Sequence, residues 1–389
     1  MFFRKAFNGF NDWWRYIIAI IAIMVGYTVG QIPLYLALSR SSDENPDSVD
    51  NALSQFADEP NFEVLGINSN MGFALLLMMF VAAMTAFFFV FKPLHHREFK
   101  TLITPKSRIN WSKIFFAFFV WLGLALVMEA IAYFIAPQDY SFHFQFNTFI
   151  PLLILSVLLL PVQTTMEELV FRGYLFQGIG TMKLKQILPL VLASGLAFIS
   201  SKSISRLAIN LEDYSNTYSV PSILAFIGGI ICLFLFYKIL SLFFSKLTNE
   251  TSGILNRNFK IIPLIITAIL FGLIHSMNPE IEKYGFGIMQ LYYISAGLVL
   301  GIMTIMDDGL ELALGVHAAT NFTGAVFVGY DGAAIQTNSL LKTSNLNPTF
   351  MALGFIVISL IFLTILKYKY QWSSFNKIWS PIDQTKDIV

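Results

Sequence analysis

The sequence predicts an all-α fold, a polytopic membrane bundle of about ten transmembrane helices. Three observations carry that reading. The 389 residues are 56% hydrophobic and 13% charged, whereas soluble domains hold about 45–50% apolar and about 25% charged residues. The apolar residues gather in runs long enough to cross a bilayer, which takes ~17–25 residues per helix. Lys and Arg concentrate in alternate connecting segments, the asymmetry that orients membrane helices. A net charge of +1 implies no nucleic-acid partner; the partners implied are the lipid bilayer and whatever the buried polar groups act on. The single cysteine, Cys232, lies in an apolar run and reads as a packing residue that forms no intrachain disulfide.

Taken in order, the spans run over 16–38, 71–91, 112–136, 150–178, 186–201, 219–245, 261–277, 287–306, 310–330 and 349–367. The first follows Arg4, Lys5 and Arg15. It exceeds the 7–15 residues of a signal-peptide core, so it is read as an uncleaved span, with cleavage after 36–39 as the alternative. Loop 39–70 is acidic, with Arg40 its only basic residue, and is expected to be a solvated connector. The loop 92–113 carries Lys92, Arg97, Lys100, Lys106, Arg108 and Lys113, while 137–149 has no Lys or Arg. His95 and His96, among these basic residues, are expected on a solvated face. The fourth run is long and holds Pro151 and Pro161, which suggests a kinked or interfacial start. The fifth is the shortest. Lys183 and Lys185, then Lys246, Arg257 and Lys260, and finally Lys367, Lys369, Lys377 and Lys386 continue the alternation, with Lys202 and Arg206 in loop 202–218 against it. Both termini are therefore expected in the cytoplasm, with an even number of crossings.

Charge inside the apolar runs is the second layer of information. Met166-Glu167-Glu168-Leu169-Val170-Phe171-Arg172-Gly173 closes the fourth run. Each ionisable group at membrane depth costs roughly 2.5–3.5 kcal/mol on insertion scales, so such groups persist where they pair, face a wet cavity or do chemistry. Glu168 and Arg172 stand four apart and can pair on one helix face. Glu167, about 100° away, is left without that partner and is the candidate general base. Phe271-Gly272-Leu273-Ile274-His275 closes the seventh run, and His317 and Asn321 stand four apart in the ninth. Counted at 1.5 Å per residue from a fourth-span exit near Gly178 and from span entries near Ile261 and Leu310, Glu167 lies ~16 Å deep, His275 ~20 Å, His317 ~10 Å and Asn321 ~16 Å. Three helices bring polar groups to a similar layer.

Glu167-Glu168-x-x-x-Arg172, Phe271-x-x-x-His275 and His317-x-x-x-Asn321, in that order on membrane helices, resemble the CAAX-protease and bacteriocin-processing (CPBP, or Abi) family, which includes the type II CAAX prenyl endopeptidases. Phe171-Arg172-Gly173 matches the usual continuation of the first motif. The resemblance covers roughly 150–330. It departs from the family in spacing, because 108 positions separate Glu167 from His275 where a few tens are usual. An inserted helical pair within 186–245 accounts for the excess. The domain reading is thus three N-terminal helices with the acidic loop over 1–149, a protease-like core over 150–330, and a last helix with a cytoplasmic tail over 331–389.

The resemblance implies an intramembrane endopeptidase that cuts a hydrophobic or membrane-tethered peptide, with a site expected to open to the cytoplasm. Glu167 would deprotonate a water, His275 would hold it, and His317 with Asn321 would donate to the developing oxyanion. Glu168 and Arg172 are the supporting pair. This reading needs no cofactor. The alternative places zinc on Glu167, His275 and His317, a two-histidine, one-carboxylate set. A further alternative is a non-catalytic scaffold, immunity factor or transporter, although no repeated halves of the transporter kind are visible. Glu129, in the third run, either faces the interior or reaches outward. Asp307, Asp308 and Glu311 read as helix-start acids, and Asn147 and Gln163 carry no signal.

Overall fold

The computed structural model describes residues 1–41, 62–211, 219–247 and 253–383. Asp43, Glu44, Asp47, Asp50, Asp58 and Glu59 of the acidic segment lie outside the described residues, as do 212–218 and Lys386. The described residues are mainly helical: α1 Arg4–Phe7, α2 Trp13–Ser41, α3 Ser69–His95, α4 Trp111–Ile135, α5 Phe146–Glu168, α6 Phe176–Thr181, α7 Leu184–Leu211, α8 Ser219–Leu247, α9 Ile261–Ile274, α10 Pro279–Tyr284, α11 Phe286–Asp307, α12 Glu311–Phe322 and α13 Pro348–Lys369. Among the described residues, eight helices are long and apolar enough to cross a membrane. The expectation of ten is corrected at two places. The apolar helix Ile261–Met277 falls short of that length. The 12-residue helix Glu311–Phe322 does as well; it spans ~18 Å at 1.5 Å per residue, against ~30 Å of hydrocarbon. Nearly every residue of α12 is buried, so its environment is protein rather than lipid. Conversely, the fifth run is no short segment, because its helix extends over Leu184–Leu211.

Helix starts follow local chemistry. Asn68, Asn110 and Asn347 cap α3, α4 and α13 by accepting hydrogen bonds from first-turn N–H groups, as short amide side chains do at N-caps. α5 begins at Phe146, earlier than expected, and runs through Pro151 and Pro161. It passes directly into a π-helical segment, Leu169–Leu175, before α6. A second π segment, Thr323–Phe327, follows α12. Both directly follow or overlap the polar motifs, and π turns inside helices are frequent at functional sites.

Two compact units divide the chain. One comprises Met1–Gly178 and Lys260–Val389, the other Ile179–Phe259. The second consists chiefly of α7 and α8, whose apolar side chains such as Phe198, Ile199, Phe234 and Ile239 are exposed. Cys232 lies in it, half-buried and unoxidised. In the first unit a continuous core runs from Phe2 and Phe87 through Tyr174, Phe271 and Met303 to Phe362. Small residues set its closest approaches. A Cβ on Gly315 of α12 would lie 2.3 Å from the Ile114 carbonyl oxygen of α4, and one on Gly297 of α11 would lie 2.7 Å from Cα of Ala268 in α9. Membrane helices use such positions to bring backbones together.

At one end of this unit the loops form a small sheet of β1 Tyr140–Phe142, β2 Val328–Tyr330 and β3 Leu341–Thr343, in the order β1-β3-β2. β1 is antiparallel to β3 and β2 parallel to it. At the other end the N-terminal amine of Met1 sits 3.2 Å from Asp308, which also takes Lys377 at 2.8 Å. Lys113 grips Asp307 at 2.6 Å, and Glu311 accepts the Asn110 N–H. The three acids read as a helix-start cluster are therefore partners in ties between elements. His95 is also corrected. It is fully buried, with Nδ1 2.7 Å from the Phe10 carbonyl oxygen and Nε2 2.7 Å from the Tyr174 hydroxyl.

Candidate active site

A cavity of about 1340 Å³ opens inside the first unit. Its wall contains Glu167, His275, His317 and Asn321, drawn from three separate helical elements. Glu168 and Arg172 do not line it and are fully buried. The six residues picked out as charge or polarity in apolar runs thus divide into four on the cavity and two behind it.

The two behind it form the scaffold. Arg172 Nη1 donates to Glu168 Oε1 at 2.8 Å, the i,i+4 pair that helix geometry offers. The guanidinium also lies 4.1 Å from the centre of the Phe271 ring, a cation–π contact across to α9. The same Glu168 oxygen is 2.8 Å from His317 Nδ1. One carboxylate oxygen therefore ties α5, the π segment and α12 together. A buried ion pair adds little net stability on its own, because desolvation offsets the attraction. Its effect here is to hold His317 with Nδ1–H directed at Glu168, which turns Nε2 toward Glu167, 3.6 Å from Oε2.

Glu167 is not free, as its position on the helix suggested. Gln163, one turn earlier, donates from Nε2 to Glu167 Oε1 at 2.5 Å, and Asn321 Nδ2 donates to Gln163 Oε1 at 2.8 Å. An amide relay, Asn321 to Gln163 to Glu167, fixes one carboxylate oxygen and leaves Oε2 without a hydrogen-bond partner. Gln163 was invisible in the sequence because an uncharged amide in an apolar run costs little. Its spacing of four from Glu167 was the available signal.

His275 caps α9, and its Nδ1 lies 2.6 Å from its own helix's Phe271 carbonyl oxygen. Nε2 then has no partner among the described residues. The ring stacks on Tyr293, with centroids 4.2 Å apart and planes at 21°. The Tyr293 hydroxyl donates to Glu280. Glu280, almost fully buried, also accepts from Asn278 Nδ2 at 3.0 Å and from the Ala334 N–H at 2.9 Å. Gln290 braces the same helix end by donating to the Gly272 carbonyl oxygen at 3.0 Å and to Ser276 at 2.9 Å. None of Tyr293, Glu280 and Gln290 stood out in the sequence, since each lies in a segment where a polar residue is unremarkable.

Both histidines use Nδ1 on a local oxygen and keep Nε2 for the cavity, an orientation common to metal-ligating histidines. Their placement does not complete such a site. Among the described residues no three His, Cys, Asp or Glu side chains come close enough together to hold a metal ion.

The cavity also reaches the surface. Exposed Ile135, Asn345 and Asn347 belong to its wall, at the end of the unit that carries the three-stranded sheet. Arg4, Lys100 and Lys377 lie at the opposite end, with Asp308.

The fold and this cavity describe a multi-pass membrane protein with carboxylate, imidazole and amide groups gathered in one interior cavity. Residues 146–248 and 242–323 match the model of the family described as type II CAAX prenyl endopeptidase, Rce1-like, the same family group that the motifs resemble. The helices before α5 and the final helix lie outside the match. The chain is also 24% identical over 376 residues to the uncharacterized protein YyaK of Bacillus subtilis (strain 168), across 95% of this chain and 97% of that protein. No solved structure matches.

Proposed function

We propose that the protein is an intramembrane endopeptidase in which Glu167 activates a water against a peptide bond in a hydrophobic or membrane-tethered substrate. One observation carries the reading: Glu167, on the cavity wall, has one oxygen held by Gln163, while the other is buried without a hydrogen-bond partner, 3.6 Å from His317 Nε2. A water beside that gap can give one proton to each acceptor and direct a lone pair outward. Attack on the scissile carbonyl forms the new C–O bond while Glu167 takes the proton. The tetrahedral intermediate then collapses as Glu167 returns that proton to the amine nitrogen and the C–N bond breaks. Asn321 donates one amide N–H to Gln163, and its second remains for the developing oxyanion. His275 presents Nε2 to the same cavity and helps hold the water. His317, with Nδ1–H directed at Glu168, serves as an oxyanion donor only when Nε2 also carries a proton. The greater share of carbonyl polarisation therefore falls to Asn321. No step is routed through a metal.

The protein is further proposed to lie in a bacterial inner membrane with both termini cytoplasmic, so that the cavity mouth faces outward. Glu167→Gln, reconstituted in liposomes with a panel of membrane-tethered hydrophobic peptides, is expected to lose cleavage by ~10²–10⁴-fold while its thermal unfolding is unchanged. Normal cleavage by that variant would remove Glu167 from the mechanism. Loss of wild-type activity on chelation, restored by zinc, would replace the metal-free route.

A further inference from the structure

Glu129 is the one charged residue of the cavity wall that neither the proposed chemistry nor the fold uses. Four carboxylates line the cavity, Glu129, Asp139, Glu167 and Glu280, and no Lys or Arg does so among the described residues. Three of the four have partners: Gln163 for Glu167, Asn345 for Asp139, and Asn278, Tyr293 and the Ala334 N–H for Glu280. Glu129, half-buried in α4, makes no hydrogen bond or ion pair among the described residues. A carboxylate at membrane depth without a partner is costly, and such residues face a cavity and mark what passes through it. The negative charge is felt locally. Outside the spans, in β1, the Tyr140 phenol is pushed up to about 12, first by burial and then by Glu129 and Asp139.

Its position along α4 can be measured against the catalytic layer. Trp121 donates to Thr320 at 2.8 Å, and Thr320 is the neighbour of Asn321. Glu129 is eight residues further along the same cavity-lining face, ~12 Å at 1.5 Å per residue, toward the mouth. An extended peptide covers that distance in three to four residues at ~3.3 Å each. Resting on the protease reading above, we infer that Glu129 is a specificity residue that pairs with a Lys or Arg side chain of the substrate, three to four residues from the cleaved bond. A site that buries a charge for one partner discriminates strongly against analogues lacking that partner.

The test separates binding from cleavage. Membrane-tethered peptides carrying Lys, or norleucine in its place, are presented in liposomes to the full-length Glu167→Gln protein, and capture is measured by photocrosslinking. The Lys peptide is expected to be captured at least tenfold more tightly. The preference should fall to about onefold when Glu129→Gln is added, persist with Glu129→Asp, and turn toward a Glu-containing peptide with Glu129→Lys. Equal capture of the Lys and norleucine peptides by Glu167→Gln, or a preference that survives Glu129→Gln, would overturn the assignment. If the preference is seen but wild-type protein cleaves none of the captured peptides, the protease reading fails and the cation site stands. If the Glu129→Gln protein unfolds, the Glu129→Asp and Glu129→Lys proteins decide.

Discussion

At the scale of single residues, adjacent glutamates in one helix have opposite surroundings. Glu168 is fully buried between Arg172 and His317, while Glu167 reaches the cavity. Removing charge at the two positions should therefore read out differently. Glu168→Gln strips a buried guanidinium of its counter-ion and is expected to destabilise the protein by about 3–5 kcal/mol, visible as a large fall in thermal unfolding temperature. Glu167→Gln should leave that temperature in place and act on cleavage alone. Tyr293→Leu removes the stacked ring from His275 and the hydroxyl from Glu280; it is expected to reduce kcat more than KM, with Tyr293→Phe recovering part of the loss because the stacking surface remains. Equal kinetics for the Leu and Phe proteins would show that the ring does not position His275. The motif residues were legible because charge in an apolar run is anomalous by its cost. Gln163, Tyr293 and Glu280 were not, since their roles arise from tertiary partners: Asn321 for Gln163, His275 for Tyr293 and the Ala334 N–H for Glu280.

At the scale of elements, two of the motif-bearing helices have lengths that were misjudged. A run of apolar residues announces burial without saying whether lipid or protein provides it, so 261–277 and 310–330 read as full crossings. α12 is instead a short helix packed against α4 through Gly315, where a side chain would collide with the Ile114 carbonyl. Gly315→Val is expected to push α12 outward and carry His317 away from Glu168, with cleavage lost and thermal unfolding lowered together. Wild-type behaviour of that variant would mean that the α4–α12 contact is not needed to seat the histidine. The π segments Leu169–Leu175 and Thr323–Phe327 were equally illegible, because no residue pattern distinguishes a π turn from the α turn it replaces.

At the scale of the molecule, the ion pairs of Met1, Lys113 and Lys377 lie at the end of the first unit opposite the three-stranded sheet, where exposed Asn345 and Asn347 line the cavity. A thiol placed at exposed Asn345, in a protein with Cys232→Ser, should react with a membrane-impermeant maleimide added to intact cells. A thiol at Ser107, near the Lys/Arg-rich end, should react only after permeabilisation; the reverse pattern would invert the orientation. The basic end also holds the N-terminal amine and Lys377 against Asp308. Burial alone would push that carboxyl up, but the Lys377 hydrogen bond and the terminal amine outweigh it, and the group lies below the usual carboxylate range. A depressed carboxyl contributes stability above the unfolded pKa of ~3.9 and loses it as pH falls through the lower folded value. Asp308→Asn should thus lower thermal stability at pH 7 by under about 1 kcal/mol, since the pair is partly exposed, and the gap to wild type should close below pH ~3. A gap unchanged at low pH would place the effect in packing rather than charge.

The relay from Asn321 through Gln163 to Glu167 spans two helices that meet only by side-chain contact at that level. The pose of the carboxylate therefore depends on how α5 and α12 are seated against each other. A bundle loosened by heat, by thin lipid or by an ill-fitting peptide would release Gln163 before it unfolded, and the glutamate would swing away from its water. On the proposed mechanism, reactivity is thus interlocked with assembly: Glu167 would be poised only in a well-closed molecule, and a half-folded copy in a membrane full of other proteins would carry a blade that is sheathed.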